Sequence, residues 1–236
     1  MHLIESQICR LRRGTAHPAA TTGAVLIWAV AGAVALPSAS QADTHGACVL
    51  SDPAAEVSDA DAAMLYDCLK ERMQAQIDTL DAGGEVEGQS WVLSDRPEAR
   101  DFLSYPSVTR APYTSGTHGG RYVVNLADAD AMPSYSQFED GGPMPVGAIL
   151  AKPSFVISDA GEAQLGPLFL MEKAEEDAFP DTSDWIYTVV TPTGGLMGRT
   201  GGQNSGGMQF CADCHMGMAS ETDSMTYLPE AYRVSN

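Results

Sequence analysis

The pattern with the most specific chemistry in this chain is Cys211-Ala-Asp-Cys214-His215. Two thiols at this spacing can each add to a vinyl group of one haem, and the adjacent imidazole can then bind the iron. A zinc site would need four ligands, and a thioredoxin-like pair should follow a strand of a βαβ unit, whereas a glycine-rich segment precedes this pair. The motif therefore predicts one covalent haem c, attached through Cys211 and Cys214, with His215 as the iron ligand.

Residues 1–42 have the order of a secretory signal peptide. Three arginines within residues 10–13 precede an uncharged run over 23–36, and small residues at Ser40 and Ala42 fit a cleavage site. The run is shorter than the about 20 residues that a membrane-spanning helix needs. We expect a periplasmic or secreted protein, cleaved near Ala42; an uncleaved N-terminal anchor is the alternative.

Charge and composition exclude several classes of protein. The 236 residues include 31 acidic and 13 basic side chains, a net charge of −18, and 44% of them are hydrophobic. This is enough apolar material for one compact domain and too much for a disordered chain, and five cysteines are too few for a disulfide-built scaffold. An acidic surface repels phosphates, which argues against a nucleic-acid partner. It would attract a basic redox partner, such as a basic cytochrome c.

Residues 43–110 are predicted to form a helical N-terminal segment. A capping-box-like start at Ser58–Asp61 precedes apolar residues that recur at helical spacing over Met64–Leu80. Cys68 lies on the apolar side of this helix. In an exported protein, a disulfide between Cys48 and Cys68 is favoured over two buried free thiols.

Residues 111–236 form the predicted haem domain, and their residue pattern is typical of an antiparallel sheet. Short runs rich in β-branched and aromatic residues alternate with turn-forming sequences, and the short connections disfavour βαβ crossovers. The runs are Tyr122–Leu126, Val146–Lys152, Phe155–Ile157, Leu168–Met171 and Trp185–Val190. The glycine-rich segment 194–207 is expected to be a loop whose backbone approaches a flat group. The predicted fold class is therefore α+β, a mostly antiparallel β-sheet haem domain preceded by a helical segment.

The position of the haem motif bears on the kind of haem protein. An ordinary electron-transfer cytochrome c carries the motif near its start and supplies a methionine ligand from far downstream. Here Met216, Met218 and Met225 are too close to His215 to reach the opposite face of the haem. Four-helix cytochromes c′ carry the motif near the C-terminus, but the region upstream here is strand-like. A five-coordinate haem, open to a small ligand on one face, is the remaining interpretation.

An ordered set of motifs runs from Pro112 to the C-terminus. The motifs are Thr117–Asn125, Met144–Phe155, Gly166–Lys173, Asp184–Tyr187, Cys211–His215 and Leu228–Val234. In this order they resemble the cytochrome P-460 family. The resemblance implies a mostly antiparallel β domain that holds one haem c, often as a homodimer, and oxidises hydroxylamine to nitrous oxide or nitric oxide.

The resemblance also implies roles outside the haem motif. It implies a covalent bond between a lysine nitrogen and a meso carbon of the haem, and Lys152 matches that lysine; without the resemblance, Lys152 would be interpreted as a solvated strand end. Removing protons from hydroxylamine calls for a general base, for which Glu172 is the first candidate. His118, Arg121 and Gln209 are further candidates for polar groups on the ligand-binding face.

Two other functions stay open at the level of sequence. An uncross-linked five-coordinate haem would favour a non-catalytic binder of nitric oxide or another small ligand, as in the β-type cytochromes c′. A six-coordinate low-spin haem would favour an electron carrier with an upstream methionine as the sixth ligand. In the hydroxylamine-oxidising enzyme and in the small-ligand binder, the bound molecule is a small nitrogenous substrate or a gas.

Overall fold

The computed structural model describes residues 47–53 and 56–234, so the predicted signal peptide and its cleavage site lie outside the described residues. The helices are α1 (Asp59–Asp81), α2 (Glu98–Asp101), α3 (Met132–Tyr135) and α4 (Ser205–Ala219). Single turns of 3₁₀ helix lie at Trp91–Leu93, Phe102–Ser104, Gly116–His118, Phe138–Asp140, Pro180–Thr182, Ser220–Thr222 and Glu230–Tyr232. Within these ranges, no helix has the length and apolar character needed to cross a membrane.

Nine strands form two antiparallel sheets in the described residues, which confirms the predicted α+β class. The strands are β1 (Tyr113–Ser115), β2 (Arg121–Val123), β3 (Leu126–Ala127), β4 (Ile149–Lys152), β5 (Ser154–Ile157), β6 (Ala163–Leu165), β7 (Leu168–Lys173), β8 (Trp185–Val190) and β9 (Leu196–Arg199). The order is β1-β2-β5-β6 in the four-stranded sheet and β3-β4-β7-β8-β9 in the five-stranded sheet.

Helix α1 begins where the capping box predicts. The Ser58 hydroxyl accepts a hydrogen bond from the Asp61 amide, and the Asp61 carboxylate accepts one from the Ser58 amide, so two N-terminal donors are satisfied. Its apolar side packs into a core shared by both sheets. The predicted disulfide between Cys48 and Cys68 is confirmed, and it ties the preceding segment to this helix.

The two faces of the five-stranded sheet pack against different helices. Successive side chains of a strand point to opposite faces. Leu168 and Leu170 of β7 belong to the core that contains α1, whereas Phe169 and Met171 pack with a second core that contains residues of α4. The sheet therefore separates two cores, and only the second lies beside the haem motif.

The predicted strand Tyr122–Leu126 is wrong in its middle, where the chain leaves one sheet and enters the other. The Asn125 amide donates to the Thr109 hydroxyl, and the Asn125 side chain bonds the Tyr113 and Tyr135 hydroxyls at 3.0 and 2.7 Å. These bonds replace ladder bonds at a fully buried position. As a result the run splits into β2 and β3, which belong to different sheets.

The glycine-rich segment 194–207 is not the single loop that the sequence predicts. It contains β9 and the first turn of α4. A side chain at Gly198 would place its Cβ 2.7 Å from the Met208 side chain of α4, so the glycine allows the helix to lie close against the strand. Glycine therefore permits the close approach of a helix here, where the sequence predicts the approach of a flat group.

Removing the disulfide should lower the free energy of unfolding by about 3 kcal/mol, because it closes a loop across a sequence separation of 20 residues in the unfolded chain. The double variant Cys48→Ala/Cys68→Ala, unfolded in denaturant without reductant, measures this change. Met64→Ala on the exposed side of the same helix is the control and should change the value by less than about 0.5 kcal/mol. A double variant as stable as the parent would contradict the prediction.

Candidate functional site

A mainly apolar cavity of about 870 Å³, including its open mouth, lies on the face of the five-stranded sheet that carries the second core. Leu150, Phe169, Met171 and Val189 supply much of its apolar lining from β4, β7 and β8. Apolar walls with a few polar groups among them are typical of ligand and cofactor sites.

Helix α4 brings the whole haem motif to this cavity. Cys211, Cys214 and His215 all line it, because residues three and four apart share one face of a helix. Both thiols are free. Phe210, which is 75% exposed, and Met218 flank them at the lining. The arrangement offers two nucleophilic sulfurs and one imidazole to the same bound group.

The His215 ring is held by a backbone carbonyl. Nδ1 lies 3.0 Å from the Ser224 oxygen, and since a carbonyl only accepts, Nδ1 carries the proton and Nε2 keeps its lone pair. The Tyr187 ring meets the imidazole edge-on, with 5.4 Å between ring centres. Burial lowers the pKa of His215, which favours the neutral form that binds metals.

Asp223 fixes the segment that supplies this carbonyl. Its backbone oxygen accepts from the Trp185 indole at 2.7 Å, and its carboxylate accepts from the Lys173 ammonium at 2.6 Å and from the Met144 amide at 3.0 Å. Asp223 and Ser224 both have positive φ, which a non-glycine residue adopts at a cost. The three bonds therefore hold a strained turn behind His215. No signal in the sequence distinguishes Asp223 from the other acidic residues.

Lys152 lines the cavity from the end of β4, where it pairs across the strands with Phe169. It is partly buried, and none of the described residues offers its amine a hydrogen bond or an ion pair. Burial alone lowers the pKa of Lys152 to about 8, so a share of the amine is neutral at neutral pH. The structure therefore does not support the alternative of a solvated strand end.

His118 lines the cavity from the turn between β1 and β2. Its Nδ1 lies 2.9 Å from the Ser115 hydroxyl and 3.2 Å from that of Thr117, and its ring meets the Phe169 ring edge-on at 5.0 Å. Burial, together with the charge of Lys152, lowers the pKa of His118 to about 3. The imidazole is therefore neutral at physiological pH.

Glu172, the first candidate for the general base, is not among the described residues that line the cavity. It alternates along β7 with the cavity-lining Phe169 and Met171, so the pleat turns it to the other face, where its carboxylate bonds Arg199 at 2.7 Å. Arg121 donates to the His118 backbone oxygen and does not line the cavity. Gln209 bonds the Asp181 oxygen and the Asp213 side chain outside the cavity.

The lining also contains polar groups that sequence reasoning missed. The Tyr187 hydroxyl is buried and has no hydrogen-bond partner among the described residues, whereas Asn125 and Tyr135 bond each other. Tyr187 lies on β8, Tyr135 on α3 and Asn125 between β2 and β3, and none of these positions indicates a cavity from the sequence alone. An unpartnered buried hydroxyl is costly and would gain from a bound group that accepts a hydrogen bond.

Comparison of the chain with models of protein families found no match, and neither did comparison with curated proteins. Over residues 47–53 and 56–234, no group of three or more histidine, cysteine, aspartate or glutamate side chains is placed to hold a bare metal ion. The site is therefore interpreted from the chemistry of its own residues.

Asp223→Ala should lower the free energy of unfolding by about 2 kcal/mol, because it leaves the partly buried Lys173 ammonium with only the Ser183 carbonyl as a hydrogen-bond partner. Denaturant unfolding of the two proteins measures the difference. Asp67→Ala removes the exposed pair with Lys70 and is the matched control, with an expected loss below about 0.5 kcal/mol. Equal losses in the two variants would show that Asp223 does not hold the turn.

Proposed function

We propose that this chain is an exported haem c protein of the cytochrome P-460 kind, which oxidises hydroxylamine. The observation that carries the proposal is that Cys211, Cys214 and His215 line the same apolar cavity as Lys152. This donor set fits a haem: two thiols for the two vinyl groups, a ring nitrogen for the iron and apolar walls for the macrocycle. The ordered motifs that resemble the family support the same conclusion.

When bound, the haem supplies an iron that coordinates hydroxylamine and accepts its electrons. His215 would hold the iron through Nε2, and the Ser224 carbonyl keeps the ring in the orientation and tautomer that this bond needs. Cys211 and Cys214 would prevent loss of the group. Because all three residues lie on one face of α4, a single rigid helix positions the attachment points and the axial ligand together.

Lys152 would supply the nitrogen of the cross-link to a meso carbon. An amine must be neutral to act as a nucleophile, and burial, which lowers the pKa of Lys152 to about 8, makes the neutral form accessible. Its lack of a protein partner leaves the amine free to react. Phe169 lies directly opposite it on β7.

The electrons must leave to a second protein. With a net charge of −18, the chain would attract a basic acceptor such as a basic cytochrome c, at a rate that falls as salt is added. Binding of nitric oxide or another small ligand without turnover is the second candidate. The apolar lining favours it, because an uncharged gas needs no polar partner in the cavity.

The double variant Cys211→Ala/Cys214→Ala should lose its haem entirely to acid–acetone extraction, because no thioether remains. Haem staining after denaturing electrophoresis measures the attachment. The double variant Cys48→Ala/Cys68→Ala removes the same number of sulfurs at positions distant in sequence from the haem motif and should keep its haem. Covalent haem in the first variant would refute the attachment site.

Lys152→Met should keep the attached haem but abolish hydroxylamine oxidation, because the substitution removes the nitrogen while nearly preserving side-chain volume. Steady-state turnover of the purified holoprotein with an artificial electron acceptor measures the loss, and mass spectrometry of the haem peptide detects the cross-link directly. Lys70→Met, at an exposed lysine of α1, is the control and should leave both unchanged. Full activity in Lys152→Met would remove the cross-link from the mechanism.

The absorption spectrum of the dithionite-reduced protein separates the candidate functions. A red-shifted, broadened Soret band would support the cross-linked enzyme. An ordinary five-coordinate spectrum of haem c would favour the small-ligand binder, and a six-coordinate low-spin spectrum would favour an electron carrier.

A further inference from the structure

Oxidation of hydroxylamine releases protons as well as electrons, so the cavity needs a group that accepts them. None of the described residues that line the cavity is an aspartate or a glutamate. The titratable groups in the lining are one lysine, two histidines, two tyrosines and two cysteines. The acceptor must be found among these.

Most of these groups are committed elsewhere or carry a proton at neutral pH. The thiols and His215 hold the proposed haem, and Lys152 supplies the proposed cross-link. Burial raises the pKa of both Tyr135 and Tyr187, so each is a hydrogen-bond donor rather than a base. This leaves His118.

We propose that His118 Nε2 accepts the proton that hydroxylamine loses when it is oxidised; this inference rests on the proposed function. The N–H bond of the substrate breaks, its proton moves to Nε2, and the bonding electron pair stays on the substrate nitrogen. A bound haem would serve as the oxidant, and its electrons would pass to the acceptor protein named above. His118 would act as a catalytic residue, because its Nε2 would contact the substrate.

The hydrogen bonds around His118 are consistent with a lone pair on Nε2. The described residues offer no partner to Nε2, whereas Nδ1 lies 2.9 Å from the Ser115 hydroxyl. The Ser115 hydroxyl lies 3.3 Å from that of Thr117. If Nδ1 donates to Ser115 and Ser115 donates to Thr117, all three groups are satisfied and Nε2 is the acceptor. Thr117 is exposed, so the same chain of hydroxyls leads a proton to solvent.

The turn that carries His118 is built to hold the ring in place. Gly119 adopts a φ of +78°, and a Cβ there would lie 2.1 Å from the Arg121 guanidinium. That guanidinium donates to the His118 backbone oxygen at 3.0 Å, and the ring packs edge-on against Phe169. Both the backbone and the ring are therefore fixed at the cavity wall.

The electrostatics of the cavity keep His118 in the accepting form. Burial is the largest cause of its low pKa, and the positive charge of Lys152 contributes in the same direction. A cross-link through Lys152 would remove an ammonium from the cavity and so raise the pKa of His118 towards its ordinary value. The charge of Lys152 therefore links formation of the cross-link to the pKa of His118.

His118→Gln is the variant that tests this assignment, in the haem-loaded protein. Glutamine can accept a hydrogen bond but takes up no proton, so kcat for hydroxylamine should fall by about 100-fold. The dissociation constants of hydroxylamine and nitric oxide, measured by spectral titration, should not change. Glu71→Gln, at an exposed carboxylate of α1, is the control and should leave kcat unchanged.

Three outcomes would overturn the assignment. An unchanged kcat in His118→Gln would do so, and so would a loss of nitric oxide affinity as large as the loss of kcat, since nitric oxide has no proton to give. A parent protein that does not oxidise hydroxylamine would overturn the proposed function and this inference with it. If His118→Gln does not accumulate as a haem protein, Ser115→Ala tests the same point: kcat should fall with both dissociation constants unchanged, and an unchanged kcat overturns the inference.

Discussion

The alternation of side chains along β7 and β8 is the constraint on which the rest of this structure depends. One set of residues, such as Leu168 and Leu170, must be buried against α1, and the other set, such as Phe169 and Tyr187, must line the cavity. A shift of one residue in register would exchange the two sets and destroy both the core and the cavity. β7 pairs with a strand on each side, and its six residue pairs with β8 fix that register.

A second constraint is that α4 must lie close to the sheet and still present its motif to the cavity. Gly198 removes the side chain that would separate helix from strand, so Met208 can pack directly onto β9. One turn further along, the same helix faces the cavity with Cys211. The strained turn at Asp223 follows the helix, and its partly buried ion pair with Lys173 connects this turn to β7. Local strain is thus offset by bonds to three other parts of the chain.

The parts of the fold that the sequence predicts are those with a strong local signal. The capping box of α1, the disulfide and strand β8 all follow from residues close together in sequence or from the chemistry of an exported protein. Strands β1 and β6, of three residues each, are too short for their alternation to be distinguished from a loop. Helix α4 was missed because its glycines signal a loop, and only packing on β9 overrides that preference.

The same division between local and non-local signals governs the site. The spacing of Cys211, Cys214 and His215 can be interpreted on its own, whereas the choice between Glu172 and His118 depends on which face of a strand meets the cavity. That choice is electrostatic as well as geometric. Glu172 sits beside Arg199 on the side of the sheet away from the cavity, where its charge is paired. His118 and Lys152 share a mainly apolar cavity. Burial lowers the pKa of both, and the charge of Lys152 lowers that of His118 further, so this environment favours neutral nitrogen bases. A protein with a net charge of −18 thus places its acidic groups outside the cavity and keeps basic nitrogens within it, which suits a ligand that must lose protons after it has bound.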